Sequence, residues 1–350
     1  MTKTTTPITA DALYARLKDI RVGSNICLFT PEKCEEMAPL INSINALKAE
    51  KNAIILAHSY VSPEIIHGVA DYVGDSYELS KKAKEDDADT IVFSAVKFMA
   101  ETAKIISPSK EVLVPNKLNG CSLADSVTGE NVRALKLQFP DHAFVCYINT
   151  TADVKAECDV CVTSSNVYDI IEAFPNDKIY FLPDRLMGEN VVAELHRRGS
   201  QKQIEIYKNG TCYVHEEYDP EMIEFIRLEH PGVAVVSHPE CSSKVLDHSD
   251  FVGSTSQMIN HVKESDLSTF YMLTECGLSS RLQLEVPEKT FVGSCTMCKY
   301  MKSNTLADIL RVMDSPDPED IISLAPAIIK ASQSCIDAMF HYAELAKKGA

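Results

Sequence analysis

No stretch of this 350-residue chain reaches the ~18 uninterrupted apolar residues of a membrane-spanning helix. Its opening residues, MTKTTTPITADALYARLKDI, also lack the apolar core of a secretory signal. A soluble, cytoplasmic protein is therefore expected. Basic runs are missing as well. Lys and Arg number 34 against 50 Asp and Glu, a formal charge of −16, and basic residues cluster only briefly, as at His196-Arg197-Arg198. Such a surface excludes nucleic acid and anionic membranes as natural partners. An anionic substrate would need local attraction from helix N-termini, oriented amides or a bound metal. Closely spaced cysteine pairs are scarce too: of 12 cysteines, only Cys158/Cys161 and Cys295/Cys298 stand close together. Inside a reducing compartment this is no disulfide framework, and so many thiols point to metal or redox chemistry.

What is present is self-similarity. Three segments align: ADYVGDSYELS from Ala70, CDVCVTSSNVYDI from Cys158 and SDFVGSTSQMI from Ser249. Their aspartates, Asp71, Asp159 and Asp250, lie roughly 90 residues apart, too far for a solenoid repeat and suited to a small α/β unit. Each segment follows a strand candidate with a polar tip: AIILAHSY (53–60), AFVCYINT (143–150) and VAVVSHPE (233–240). Apolar strands alternating with amphipathic helices predict parallel sheets covered on both faces. The expected fold is α/β: three pseudo-threefold-related domains, each a small parallel sheet flanked by helices, around a central cavity. The expected boundaries are 1–120 plus 299–350, 121–211 and 212–298. DIISLAPAIIKASQSCIDAMFHYAELAKK reads as a helix pair closing back on the first unit.

Roughly 50 residues after each repeated aspartate comes a cysteine. The sequence LNGCSLAD around Cys121 recurs in outline as KNGTCYVH around Cys212, and the third position falls in VGSCTMCK. The Asn-Gly pairs predict sharp turns in which glycine takes a positive φ. Ligands gather at the C-terminal ends of parallel strands, so tips and cysteine turns should face one centre. Three converging thiolates can hold a [4Fe-4S] cluster, which normally takes four, leaving one iron open as a Lewis acid. A zinc site completed by His215 is the rival. The turns GDS (74–76), TSS (163–165) and GST (253–255) each precede a helix candidate and could bind anions.

These residues resemble a known family. LAHSYVSPE, ADYVGDSYELS, VKFMAETAKIISP, NGCSLADS, NGTCYVH, SHPE, GSTSQMI and CKYMK are similar, in order and from about residue 35 to 345, to quinolinate synthase. The resemblance implies three α/β domains around a [4Fe-4S] cluster. It implies condensation of iminoaspartate with dihydroxyacetone phosphate to quinolinate, releasing phosphate and two waters, in de novo NAD biosynthesis. The partners implied are these two substrates and the enzyme that supplies iminoaspartate. Carried over residue by residue, Cys121, Cys212 and Cys298 would be the cluster ligands. His58, Tyr60, Tyr147, Asn149, His238 and Glu240 would line the cavity, and Ser76, Ser164, Ser254 and Thr255 would hold phosphate and carboxylates. Glu240, His238, His58 and Tyr60 are the candidates for proton transfer. The segment EIIHGVA is one residue longer than the family's usual spacing. Self-comparison favours Cys295 as the third ligand and the family pattern C-x-x-M-K favours Cys298, with Cys295/Cys298 also spaced for a regulatory disulfide. Cys241 sits on the wrong element for a ligand, and the remaining cysteines are expected to be buried thiols. A radical iron-sulfur enzyme of the diphthamide-synthase type and a non-catalytic iron-sulfur sensor are the alternatives. The first lacks any sequence feature for its cosubstrate, and the second would want a fourth cysteine.

Overall fold

Three four-stranded parallel sheets form the framework of the computed structural model, which describes residues 7–21, 29–293 and 296–349. The first holds β1 (Ala53–His58), β2 (Tyr72–Gly74), β3 (Thr90–Ser94) and β4 (Glu111–Leu113). The second holds β5 (Ala143–Tyr147), β6 (Val160–Val162), β7 (Lys178–Leu182) and β8 (Gln203–Ile206). The third holds β9 (Ala234–Ser237), β10 (Phe251–Val252), β11 (Thr269–Leu273) and β12 (Thr290–Val292). The orders are β2-β1-β3-β4, β6-β5-β7-β8 and β10-β9-β11-β12, one topology used three times. Strands β3 and β5 are buried at every position, as helices on both faces of a parallel sheet require. One apolar core runs through all three units, with a smaller one in the third around Val235, Cys241 and Tyr271. Among the described residues, no helix is long and apolar enough to cross a membrane.

The repeated aspartates have a structural cause. Asp71 Oδ2 accepts the Ile55 amide at 2.8 Å, Asp159 Oδ2 that of Phe144 at 2.7 Å, and Asp250 Oδ2 that of Val235 at 2.8 Å. Each Asp also donates its own amide to the carbonyl of the same residue. The pair of bonds fastens the entry of each short edge strand to the central strand β1, β5 or β9. Only a short side chain carrying an acceptor can close this ring, so the residue recurs although no chemistry depends on it.

The chain's final described element differs from the expected helix pair. Pro326–Gly349 is one continuous helix, and it lies chiefly over the second unit, against helices Ala152–Ala156 and Val167–Ala173 and strand β6. Phe174 meets Tyr342 edge-on at 5.0 Å. Contact with the first unit is smaller, through helix Lys97–Ile106 and the Phe340–Tyr77 pair at 5.7 Å. The first sheet is instead covered by helices Pro31–Glu50 and Leu306–Asp314, which leaves the apolar face beside β6 for the last helix.

Replacing Asp71 by Ala strands the buried Ile55 amide and removes the partner of Lys48, whose Nζ lies 2.8 Å from Asp71 Oδ1. The loss should be about 1–3 kcal/mol in chemical denaturation. Asp71→Asn, which keeps an acceptor, should lose less than half of that.

Candidate catalytic cavity

Each central strand ends in a polar tip, and the three tips face one cavity. His58 ends β1 and Tyr60 follows it, Tyr147 ends β5 and Asn149 follows it, and His238 and Glu240 follow β9; all six line it. The first and third tips share a backbone device. His58 Nδ1 accepts the Tyr60 amide at 3.2 Å, and His238 Nδ1 accepts the Glu240 amide at 3.3 Å. Both rings therefore carry any neutral-state proton on Nε2. Burial holds both imidazoles down to a pKa of about 3, so they are neutral at physiological pH.

Glu240 anchors a hydrogen-bonded chain across the units. Tyr147 donates to its Oε1 at 2.6 Å, and His215 Nδ1 lies 3.0 Å from its Oε2. His215 Nε2 is 2.9 Å from Thr274 Oγ1, which is 2.7 Å from the Tyr60 hydroxyl, itself 2.8 Å from Thr255 Oγ1. These contacts run without a break from Thr255 through Tyr60, Thr274 and His215 to Glu240. Burial disfavours the Glu240 carboxylate, but His215 and the Tyr147 hydroxyl outweigh it and hold its pKa below the usual carboxylate range. Burial, reinforced by Glu240, pushes the Tyr147 phenol well above its ordinary value; burial does the same for Tyr60. The chain thus joins a stable carboxylate to two phenols that stay protonated.

Two of the three cysteines share one local geometry. Cys212 caps the turn Tyr213–Glu216 and Cys298 caps Lys299–Lys302, with nearly equal backbone angles (φ −87°, ψ 111° and φ −79°, ψ 108°). Cys121 heads the 3-10 turn Ala124–Ser126. All three line the cavity. Each sulfur is faced by amides of the turn that follows: Ala124 and Leu123 for Cys121, His215 for Cys212, Met301 and Tyr300 for Cys298. Burial nevertheless pushes Cys121 up to about 12, and burial also raises Cys212 and Cys298, with Glu240 adding to Cys212 and Glu275 to Cys298. Amides aimed at sulfur favour thiolate, while burial, reinforced by the nearby carboxylates, opposes it, and a cation would offset both. This donor set fits a positively charged metal centre.

The glycines beside these turns work by close approach, and neither Gly120 nor Gly210 has the positive φ that the Asn-Gly pairs predict. A Cβ on Gly210 would sit 2.2 Å from the Pro183 carbonyl oxygen. The anion turns also diverge. Ser76, Ser164 and Thr255 line the cavity, whereas fully buried Ser254 is absent from its wall and accepts the Gln257 amide as a helix cap. In the first turn Asp75 takes the amides of Tyr77 and Glu78, so those donors are occupied. Cys241 lies in the third unit's small core, and Cys295 falls outside the described residues.

Sequence reading weighed His215 only as a zinc ligand and missed Thr274, Glu275 and Lys302. Among the described residues, Cys212, His215 and Glu240 do form a group whose ligand atoms lie within 4.8 Å of one another. Glu275, also on the cavity wall, accepts the amides of Gly277 at 2.7 Å and Cys298 at 3.2 Å. Lys302 Nζ sits 3.1 Å from Glu275 Oε1 and donates to the Tyr60 carbonyl at 2.6 Å. One buried ion pair thereby joins the first tip to the third cysteine turn. A polar Thr-Glu at the end of TFYMLTE was the available signal.

Comparison with known proteins gives the chain's relatives. The family model that matches residues 42–341 describes the quinolinate synthetase A protein. The chain is 43% identical over 285 residues to a quinolinate synthase of Caulobacter vibrioides, covering 80% of this chain and 76% of that one. Quinolinate synthase 2 of Mesorhizobium japonicum is 41% identical over 313 residues, 89% of this chain and 94% of the relative. The corresponding protein of Prosthecochloris aestuarii is 40% identical over 317 residues, 88% and 96%.

Lys302→Met should leave Glu275 buried without its cation and cost about 3 kcal/mol in denaturant. Adding Glu275→Gln should restore a substantial part, and the double-mutant cycle measures the coupling. Full additivity of the two changes would mean that the pair does not act as a unit.

Proposed function

Because the chain belongs to the quinolinate synthase family, we propose that it condenses iminoaspartate with dihydroxyacetone phosphate to give quinolinate, phosphate and two waters, in de novo NAD biosynthesis in the cytoplasm. The observation that carries this reading is the meeting of three amide-faced thiols with three polar strand tips in one cavity. Cys121, Cys212 and Cys298 would hold a [4Fe-4S] cluster. When bound, it supplies Lewis acidity through the iron that no cysteine ligates.

The chain's own residues divide the remaining tasks. The hydroxyls of Ser76, Ser164 and Thr255, with the Asn149 amide, offer neutral donors for carboxylates and phosphate, which suits an interior already carrying Glu240 and Glu275. Glu240, ionised and hydrogen-bonded to His215 and Tyr147, is the base that accepts a carbon- or nitrogen-bound proton during tautomerisation and ring closure. Tyr60 keeps its proton and has Thr255 and Thr274 on either side, so it can donate towards a departing hydroxyl and be refilled along the chain. Neutral His58 and His238 present Nε2–H donors without adding charge. Phe98 and Met99 form an apolar stretch of wall that limits water. The enzyme that makes iminoaspartate is the expected neighbour in the cell.

Anaerobically purified protein should carry iron and sulfide in equal amounts with the visible absorbance of a cluster. Cys121→Ser, Cys212→Ser and Cys298→Ser should each lose it. Zinc in place of iron with full activity would reject the cluster and favour the Cys212-His215-Glu240 centre. Glu240→Gln should lower turnover about 10²–10⁴-fold while keeping the cluster; retained turnover in both Glu240→Gln and Tyr60→Phe would remove the proton-transfer roles.

A further inference from the structure

Away from the cavity, four more thiols meet inside the second unit. Cys146 on β5 and Cys161 on β6 are register partners in adjacent strands. Cys335, on the last helix, places its sulfur 3.6 Å from that of Cys146. Cys158, just before β6, also hydrogen-bonds Cys146. All four are unbridged thiols; Cys146, Cys161 and Cys335 are fully buried, while Cys158 retains 8% exposure. Fully buried Lys155 lies beside them, its Nζ donating to the Ile148 carbonyl at 2.8 Å.

This is not a metal cage. The middle of the group is the Cys146 sulfur itself, and no three of these thiols belong to the mutually close donor group among the described residues. A sulfur surrounded by sulfurs has another chemistry, thiol-disulfide exchange. Burial opposes ionisation of Cys146, but hydrogen bonds from Cys158, Cys161 and Cys335, with the Lys155 charge, outweigh it and favour its thiolate over its neighbours'. Cys146, central to the group, is the thiol placed to attack whichever neighbouring sulfur is first oxidised.

We propose that Cys146 and Cys335 are a redox modification site, closed to a disulfide by hydrogen peroxide that enters at Cys158. Cys158 gives up its proton as its sulfur attacks the O–O bond, and the departing hydroxide takes that proton, so that a sulfenic acid and water form. The Cys146 thiolate displaces hydroxide from that sulfur, which leaves as a second water with a proton from solvent, and a Cys146–Cys158 disulfide forms. Cys335 then gives up its proton and attacks the Cys146 sulfur, and Cys158 departs as thiolate and takes that proton. Overall, two thiols lose two electrons and two protons, and the peroxide becomes two waters.

The product joins residues 189 positions apart and staples the last helix to the central strand of the second sheet. A crosslink over so long a loop constrains the unfolded chain strongly. The same helix carries Phe340, packed on the cavity residue Tyr77, so the staple also braces a wall of the cavity.

The test treats reduced holoenzyme with hydrogen peroxide, digests it without reductant and maps the peptides by mass. The dominant crosslink should be Cys146–Cys335, it should vanish with dithiothreitol, and it should slow proteolytic release of the last helix about tenfold. Cys158→Ser should form the same bond at least about tenfold more slowly. Cys335→Ser should stop at the Cys146–Cys158 bond and show no protection of the last helix, and the wild-type map decides the pairing even if that variant folds poorly. A final bond to Cys158 or Cys161, or oxidation ending in sulfinate without a crosslink, would overturn the pairing. An unchanged rate in Cys158→Ser would overturn the entry route.

Discussion

A carboxylate buried to 3% exposure governs the interior of this protein. Glu240 has no lysine or arginine among its described salt-bridge partners, so its charge is solvated by the Tyr147 phenol and the His215 imidazole. Those donors must in turn be fixed, which is why His215 leans on Thr274 and stacks on His238 with ring centroids 4.7 Å apart. Thr274 is bonded to Tyr60, and Tyr218 donates to the Thr274 carbonyl at 2.6 Å. Removing any member leaves a charge or a polar atom stranded in low dielectric. The cavity is thus held by one continuous network, with each unit supplying a part.

Threefold repetition supplies the scaffold, and the departures from it supply the chemistry. The aspartate clamps and the strand order are common to all three units. The tips keep only their position: His-x-Tyr, Tyr-x-Asn and His-x-Glu occupy equivalent corners. A symmetric site would have placed three like charges around one axis and suffered their repulsion. One carboxylate, two phenols and two neutral imidazoles avoid it. The Glu275–Lys302 pair has no described counterpart in the other two units and marks where the first and third differ most.

Much of this architecture is legible in the residues. The apolar strands, their polar tips and the phased cysteines give the sheets, and the tips do converge. The motif FMAETAK carries two functions that its pattern does not separate: Phe98 and Met99 face the cavity, while buried Glu101 accepts the Ala152 amide at 2.8 Å and braces the second unit. What sequence hides is whatever depends on contact between distant segments. Nothing near Lys302 reveals that its ammonium will reach the Tyr60 carbonyl, because that bond exists only once two units are docked. The neighbour of the last helix is hidden for the same reason: amphipathic periodicity shows that a face is apolar and is silent about which surface will meet it. The glycines of the cysteine turns show a third limit, since permissive φ and absent Cβ leave one signature in sequence.

The placement of helix Pro326–Gly349 has a consequence for how the chain is made. Synthesis proceeds at about 5–20 residues per second, and the second sheet is complete once Ile206 has emerged. Its outer face, beside β6 and helix Val167–Ala173, stays uncovered until more than a hundred further residues have been added. The middle unit is therefore the last to be finished, although it is not the last to be translated. For several seconds a nascent chain presents that apolar face to the cell, which makes it the natural place for a chaperone to hold.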